Sequence, residues 1–217
     1  PFVLLVAMST LFLVVTVPVL FSGHWITVFW TIQGLALLWT SIRIGDDRVL
    51  SAGVGLILVG AAKYLCWDLT VVYGIDIFDL RFRNGFAVTA FARWTTIVTI
   101  LAVFIAGALM IGRSRRSQDI QAFAPAMSLL YAVFGTFFFL SLNVEVSAFF
   151  VEALPGARLA AISVLWALFA IVLMLLGFAR STSVLRKCSL ALFGAALIKV
   201  FLYDMANVRT PYRIVSF

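Results

Sequence analysis

Runs of about twenty apolar residues, separated by short stretches that hold most of the charge, limit what this chain can fold into. A bilayer's hydrocarbon core is ~30 Å thick, and about 20 residues of α-helix cross it. Backbone N–H and C=O groups in lipid find no water to bond, so long runs of this kind must be helices. The fold class is therefore an all-α, polytopic transmembrane helix bundle. Seven spans are expected, at 1–20, 24–42, 49–67, 86–111, 122–143, 158–179 and 184–203, with an eighth opening at 211. Composition agrees: 64% of residues are hydrophobic, 12% are charged and the mean hydropathy is +1.15. A soluble domain is about half apolar and about a quarter charged.

The spans group into a single membrane domain in three stretches. Residues 1–85 hold spans one to three and a long loop, 86–143 hold spans four and five, and 144–217 hold spans six, seven and the start of the eighth. The chain opens on Pro1 and closes on Ser216-Phe217 just as an apolar run begins, so it reads as truncated at both ends.

The net charge of +7 does not point to nucleic acid, because the basic residues lie in short loops and form no basic domain or stripe. They point to an orientation instead. Arg43, Arg48, Arg113, Arg115, Arg116, Arg180, Arg186 and Lys187 share alternate loops, and positive loops stay cytoplasmic. Loops 43–48, 112–121 and 180–187 are then cytoplasmic, and the remaining loops, balanced or slightly acidic, are outside. The longest outer loop, 68–85, alternates Tyr73, Ile75, Ile77, Phe78 and Leu80 with polar residues, which suits the interface or the sides of the spans.

An internal repeat is visible in three anchors. Trp30 and Lys63 are 33 residues apart, as are Trp166 and Lys199, and an Asp follows each Lys by five, at Asp68 and Asp204. The offset is 136 throughout, and the repeat cores are 24–69 and 158–205. It covers four spans, an even number, so the copies are parallel, as in proteins whose halves are related about the membrane normal.

Ionisable residues inside the spans are costly, and each is a candidate for function. Lys63, Arg93 and Lys199 fall within spans, all toward the outer face, and Arg213 opens the last one. These four are candidate anion- or partner-binding groups, with Asp68, Glu145 and Asp204 as acidic partners. Arg93, placed about two turns into span four, should face other helices and meet one of those acids. A second reading stands beside the first. A Lys near a helix C-terminus can snorkel and meet the negative end of the macrodipole, and a buried ion pair can be purely structural. Five residues set Lys and Asp ~140° apart around an ideal α-helix, so they pair only if the last turn unwinds.

The remaining signals are structural. His24 beside Trp25 is an interfacial residue, and Cys66 and Cys188 are small packing residues too few for a disulfide framework. Gly53, Gly55, Gly60, Ala61 and Ala62, and later Ala191, Gly194, Ala195 and Ala196, allow close helix packing. No metal-ligand spacing, P-loop, HExxH or GxSxG motif occurs, so neither a metal nor a cofactor is expected and catalysis of the common soluble kinds is absent.

Several segments resemble a known family. Trp166-Ala-Leu-Phe, Leu185-Arg186-Lys187, Lys199-Val-Phe-Leu-Tyr-Asp204 and Tyr212-Arg213-Ile-Val-Ser-Phe217 look like the C-terminal part of a bacterial family of many-spanning predicted membrane proteins of unknown function, of the DUF2339 kind. Phe21-Ser-Gly-His-Trp-Ile-Thr resembles its upstream unit, with Gln33 where the family often has Glu after Trp-x2. The resemblance implies a multi-pass protein of the bacterial inner membrane and no defined activity. Four functional readings follow. The first is a cell-envelope complex subunit whose outer charged cluster binds an anionic headgroup, a lipid-linked sugar or a periplasmic or membrane protein partner, with the bilayer around it. The others are a transporter or flippase of two parallel halves, a membrane-embedded transferase, and a scaffold whose charges are structural.

Overall fold

The computed structural model describes residues 2–76, 78, 80–114 and 123–204, without the side chains of 2–4, 6, 7, 123, 124, 203 and 204. Among these residues there are seven α-helices and no strand. They are α1 (Phe2–Leu20), α2 (His24–Ile44), α3 (Asp47–Lys63), α4 (Ala90–Arg113), α5 (Phe123–Ala153), α6 (Arg158–Ala179) and α7 (Ser183–Lys199). Two π-helical segments, π1 (Tyr64–Val72) and π2 (Val200–Asp204), continue α3 and α7 without a break.

Five helical segments are long and apolar enough to cross a membrane: His24–Ile44, Asp47–Val72, Ala90–Arg113, Pro125–Ala153 and Pro155–Ala179. Two expected spans are not among them: the first, where the apolar helix is Met8–Leu20, and the seventh, α7. The eighth lies outside the described residues, as do Arg115, Arg116 and Asp119 of the second expected cytoplasmic loop.

The chain divides into two compact units, residues 1–141 and 142–217. In the first, α2 and α3 form a tight antiparallel hairpin. Gly45 ends α2 in a left-handed conformation and returns its N–H to Ser41. Asp46 then caps α3, its carboxylate accepting from the N–H groups of Arg48 and Val49 at 2.8 and 3.3 Å. The two helices touch backbone to backbone at Gly34 and Gly53: a Cβ on Gly34 would stand 2.9 Å from the Gly53 carbonyl oxygen. Gly55 and Gly194 face open space, so the small residues divide between those that pack and those that do not. Leu38, Leu50, Ile57, Ile100 and Phe104, from α2, α3 and α4, are fully buried in this unit's core. In the second unit α6 and α7 form another hairpin, where Ser189 donates to the Ala170 carbonyl at 2.7 Å.

Three boundaries differ from expectation. α5 runs to Ala153 instead of stopping at 143, because Asn143 and Ser147 find partners in α6 and no polar group forces the helix to end. α4 starts at Ala90 rather than 86, which puts Arg93 in its first turn and not two turns deep. The loop after span three is shorter than expected, since residues 68–72 are π-helical. What remains is a small antiparallel turn closed by the Ile75–Phe82 bridge, with Tyr73, Ile75 and Phe82 buried and Phe78 exposed. Cys66 and Cys188 are free and exposed, so neither is the packing residue that its type suggests.

Candidate functional site: clasped helix hairpins

α2 and α3 are joined by a tight turn at one end, and a polar clasp ties their open ends together. Lys63, the last residue of α3, donates to the Asp68 carboxylate at 2.5 Å, to the Thr27 hydroxyl at 2.9 Å and to the Gly23 carbonyl at 3.4 Å. Thr27 in turn donates to the second oxygen of Asp68. The ammonium thus has three oxygen acceptors, and both carboxylate oxygens have a donor. Asp68 is fully buried and the Lys63 side chain is 16% exposed, so the pair is sheltered. A buried pair is favourable only when its remaining lone pairs and protons are satisfied, as they are here.

Two local features build the clasp. Gly23, with φ +63° and ψ −131°, sits in a region that side chains rarely adopt, and its carbonyl is one of the three acceptors. The second feature is π1. In an α-helix five residues separate Lys and Asp around the axis, but an i→i+5 bonded turn stacks them. The Tyr73 N–H bonds the Asp68 carbonyl in this wider pattern at 2.8 Å. Lys63 and Asp68 therefore share a face that an α-helical reading denies them.

The second hairpin is closed in a like manner. Lys199, the last residue of α7, donates to the Leu159 carbonyl at 3.1 Å and to the Ser163 hydroxyl at 2.6 Å. Those partners lie 40 and 36 residues upstream, as Gly23 and Thr27 do from Lys63. α3 and α7 are each 17 residues long, and each is followed at once by a π-helical segment. The anchoring tryptophans also bond the helix before their own: the Trp30 indole donates to the Val14 carbonyl at 3.3 Å, and that of Trp166 to the Asn143 side chain at 2.6 Å. Gln33 donates its amide to the Thr10 carbonyl at 3.0 Å, a bond that an ionised Glu could not donate.

Arg93 is fully buried. It donates to the Phe86 carbonyl at 3.0 Å and to the Thr89 hydroxyl, and its guanidinium lies 3.8 Å from the Phe82 ring centre and 4.8 Å from that of Phe86. Tyr73 bonds Ala92 and Thr96 at 3.1 Å each. Together they pin the 73–89 segment to the start of α4. His24 packs its ring 5.1 Å from that of Trp25 and 6.1 Å from that of Tyr73.

Of the candidate residues, the structure thus brings Lys63 and Asp68 together. Glu145 is buried on α5. Asp204 ends π2 with its side chain outside the description, and Arg213 lies outside the described residues. Four groups of the clasps, Gly23, Thr27, Leu159 and Ser163, are not marked by the sequence as site residues. The 136-residue offset already aligned Thr27 with Ser163 and was the signal that could have found them. No group of three or more metal-binding side chains occurs among the described residues.

No curated protein and no solved structure matches the chain. One family does match, over residues 70–217, which is more than half of the sequence. The chain belongs to that family, DUF2339, described as predicted membrane protein.

Proposed function

We propose that the chain is a subunit of a cell-envelope complex in the bacterial inner membrane, built from two copies of one clasped-hairpin module. Its function is to bind an anionic group at the clasped ends, a headgroup, a lipid-linked sugar phosphate or an acidic partner. The observation that carries this reading is the repeated clasp: the same Lys, hydroxyl and carbonyl at the same separations, each beside a π-helical turn. It gathers cations at the α2 start and α3 end in one unit and at the α6 start and α7 end in the other. The opposite ends carry Arg43, Arg48, Arg180 and Arg186, the set assigned to the cytoplasm. Lys63 and Lys199 close the two hairpins and Arg93 is fully buried; with Arg213 they are the candidate cations.

The test is gentle purification of the full-length protein with mass spectrometry of co-purifying proteins and lipids. Stoichiometric recovery of a partner, or of one enriched anionic lipid that is lost in Lys199→Met, supports the reading. Recovery of bulk lipid alone, unchanged in that variant, counts against it.

A transporter of two parallel halves is the second reading, and π1 and π2 favour it. π-helical turns inside α-helices are frequent at functional sites, and two occur here at matching places. Substrate flux in proteoliposomes that is lost on straightening π1, by deleting one residue between Lys63 and Asp68, would favour it over the subunit reading.

A further inference from the structure

Arg158 was no part of the charged constellation in the sequence, yet it is a cation of unusual standing in the second unit. It opens α6 and lies three residues inside the apolar segment Pro155–Ala179, about 5 Å below its start. It is half-buried. Its Nε donates to the Ser147 hydroxyl of α5 at 2.9 Å, which fixes the plane of the guanidinium. Ser147 is itself fully buried, so this anchor does not move with solvent. No carboxylate pairs with Arg158 among the described residues, and its two terminal nitrogens have no acceptor there. The carbonyl of the next residue, Leu159, accepts from the Lys199 ammonium.

An arginine at the edge of the hydrocarbon with no acid to neutralise it is open to an anion from elsewhere. Its fork of donors matches two oxygens of a phosphoryl group, and it stands near the depth of lipid phosphates. We propose that Arg158 is a phosphoryl-binding residue, taking two phosphoryl oxygens on its terminal nitrogens while Ser147 holds the guanidinium plane. This rests on the anion-binding reading above and names the group that the module binds. A phospholipid headgroup and a free phosphate share this chemistry.

The test uses the full chain in neutral detergent, with dioctanoyl phosphatidylglycerol, inorganic phosphate and dioctanoylglycerol as separate probes. Binding is read by thermophoresis and by the shift in melting temperature. The phosphorylated lipid should bind and raise the melting temperature, and dioctanoylglycerol should not. Arg158→Gln should weaken binding about tenfold or more, and Arg158→Lys less. Equal binding of inorganic phosphate identifies a free phosphate as the source, whereas its failure beside a binding lipid identifies a headgroup. If the wild type answers neither phosphoryl probe, the anion-binding reading fails and this inference fails with it. If it binds but Arg158→Gln binds equally well, only the assignment to Arg158 is overturned. Should Arg158→Gln not fold, Ser147→Ala decides: it keeps the charge, frees the plane and should weaken binding several-fold, and an unchanged affinity overturns the proposal.

Discussion

Lys63 and Asp68 stand five residues apart in sequence and meet at 2.5 Å, because the chain between them is π-helical. The pairing follows from backbone geometry as much as from charge, and it can be separated from charge by experiment. Lys63→Met leaves a fully buried carboxylate without its cation, which should destabilise the protein by about 3–5 kcal/mol. Lys63→Met with Asp68→Asn should recover most of that loss. Thermal melting of both variants against wild type checks this, and equal loss in the single and double variants would show that the pair is not coupled.

The clasp also makes a prediction about an added ligand. Three oxygens, from Gly23, Thr27 and Asp68, surround the Lys63 ammonium. Lys63→Ala removes the tethered cation and leaves its acceptors. Millimolar propylammonium should then raise the melting temperature of Lys63→Ala, by mass action on the folded state, and leave Lys63→Met unaffected because its side chain fills the space. No difference between the two variants would count against a preformed ammonium site.

At the crossing of α2 and α3, Gly34 and Gly55 give opposite expectations. A Cβ on Gly34 would stand 2.7 Å from Ile57 and 2.9 Å from the Gly53 carbonyl oxygen, whereas one on Gly55 meets nothing within 4 Å. Gly34→Ala should destabilise by about 1–3 kcal/mol through overpacking. Gly55→Ala should be neutral or slightly stabilising, since alanine is the better helix former. Unfolding midpoints in detergent measure both.

Arg93 should govern the order of the segment before α4. Its guanidinium lies against Phe82 and Phe86 and bonds the Phe86 carbonyl. Arg93→Met keeps bulk and removes the donors, so hydrogen exchange should rise at the Ile75 and Arg83 amides, which bond Leu69 and Gly74. Exchange within α2 should stay as in wild type. Arg93→Lys should fall between the two, since a point charge keeps attraction to the rings but loses the planar fork.

How much of this could be read from residues alone varies by element. The helices were legible, because lipid forces every long apolar run into one, and the 136-residue offset aligned Lys63 with Lys199 before any geometry was known. The ends of the helices were not. Asn143 and Glu145 look like the close of a span, yet the Asn143 side chain accepts from Trp166 and α5 continues to Ala153. The pairing of Lys63 with Asp68 stays conditional on an unwound last turn in the sequence, because an ideal helix separates residues five apart, and nothing in Tyr64-Leu-Cys-Trp announces a π-turn. Arg158 carries no mark in the sequence, since its bond to Ser147 joins two helices that the sequence leaves independent.

The closed hairpin of α2 and α3 has a consequence for how the chain reaches the membrane. During synthesis Thr27 and the Gly23 carbonyl emerge first, and Lys63 follows 40 residues after that carbonyl. A lone charged α3 would meet an insertion barrier, because Lys and Asp each disfavour the hydrocarbon. Once π1 forms, the two charges cancel within a single turn and α2 supplies the remaining acceptors. Once the clasp is closed, α2 and α3 present lipid with one hairpin whose Lys63 and Asp68 charges are already matched.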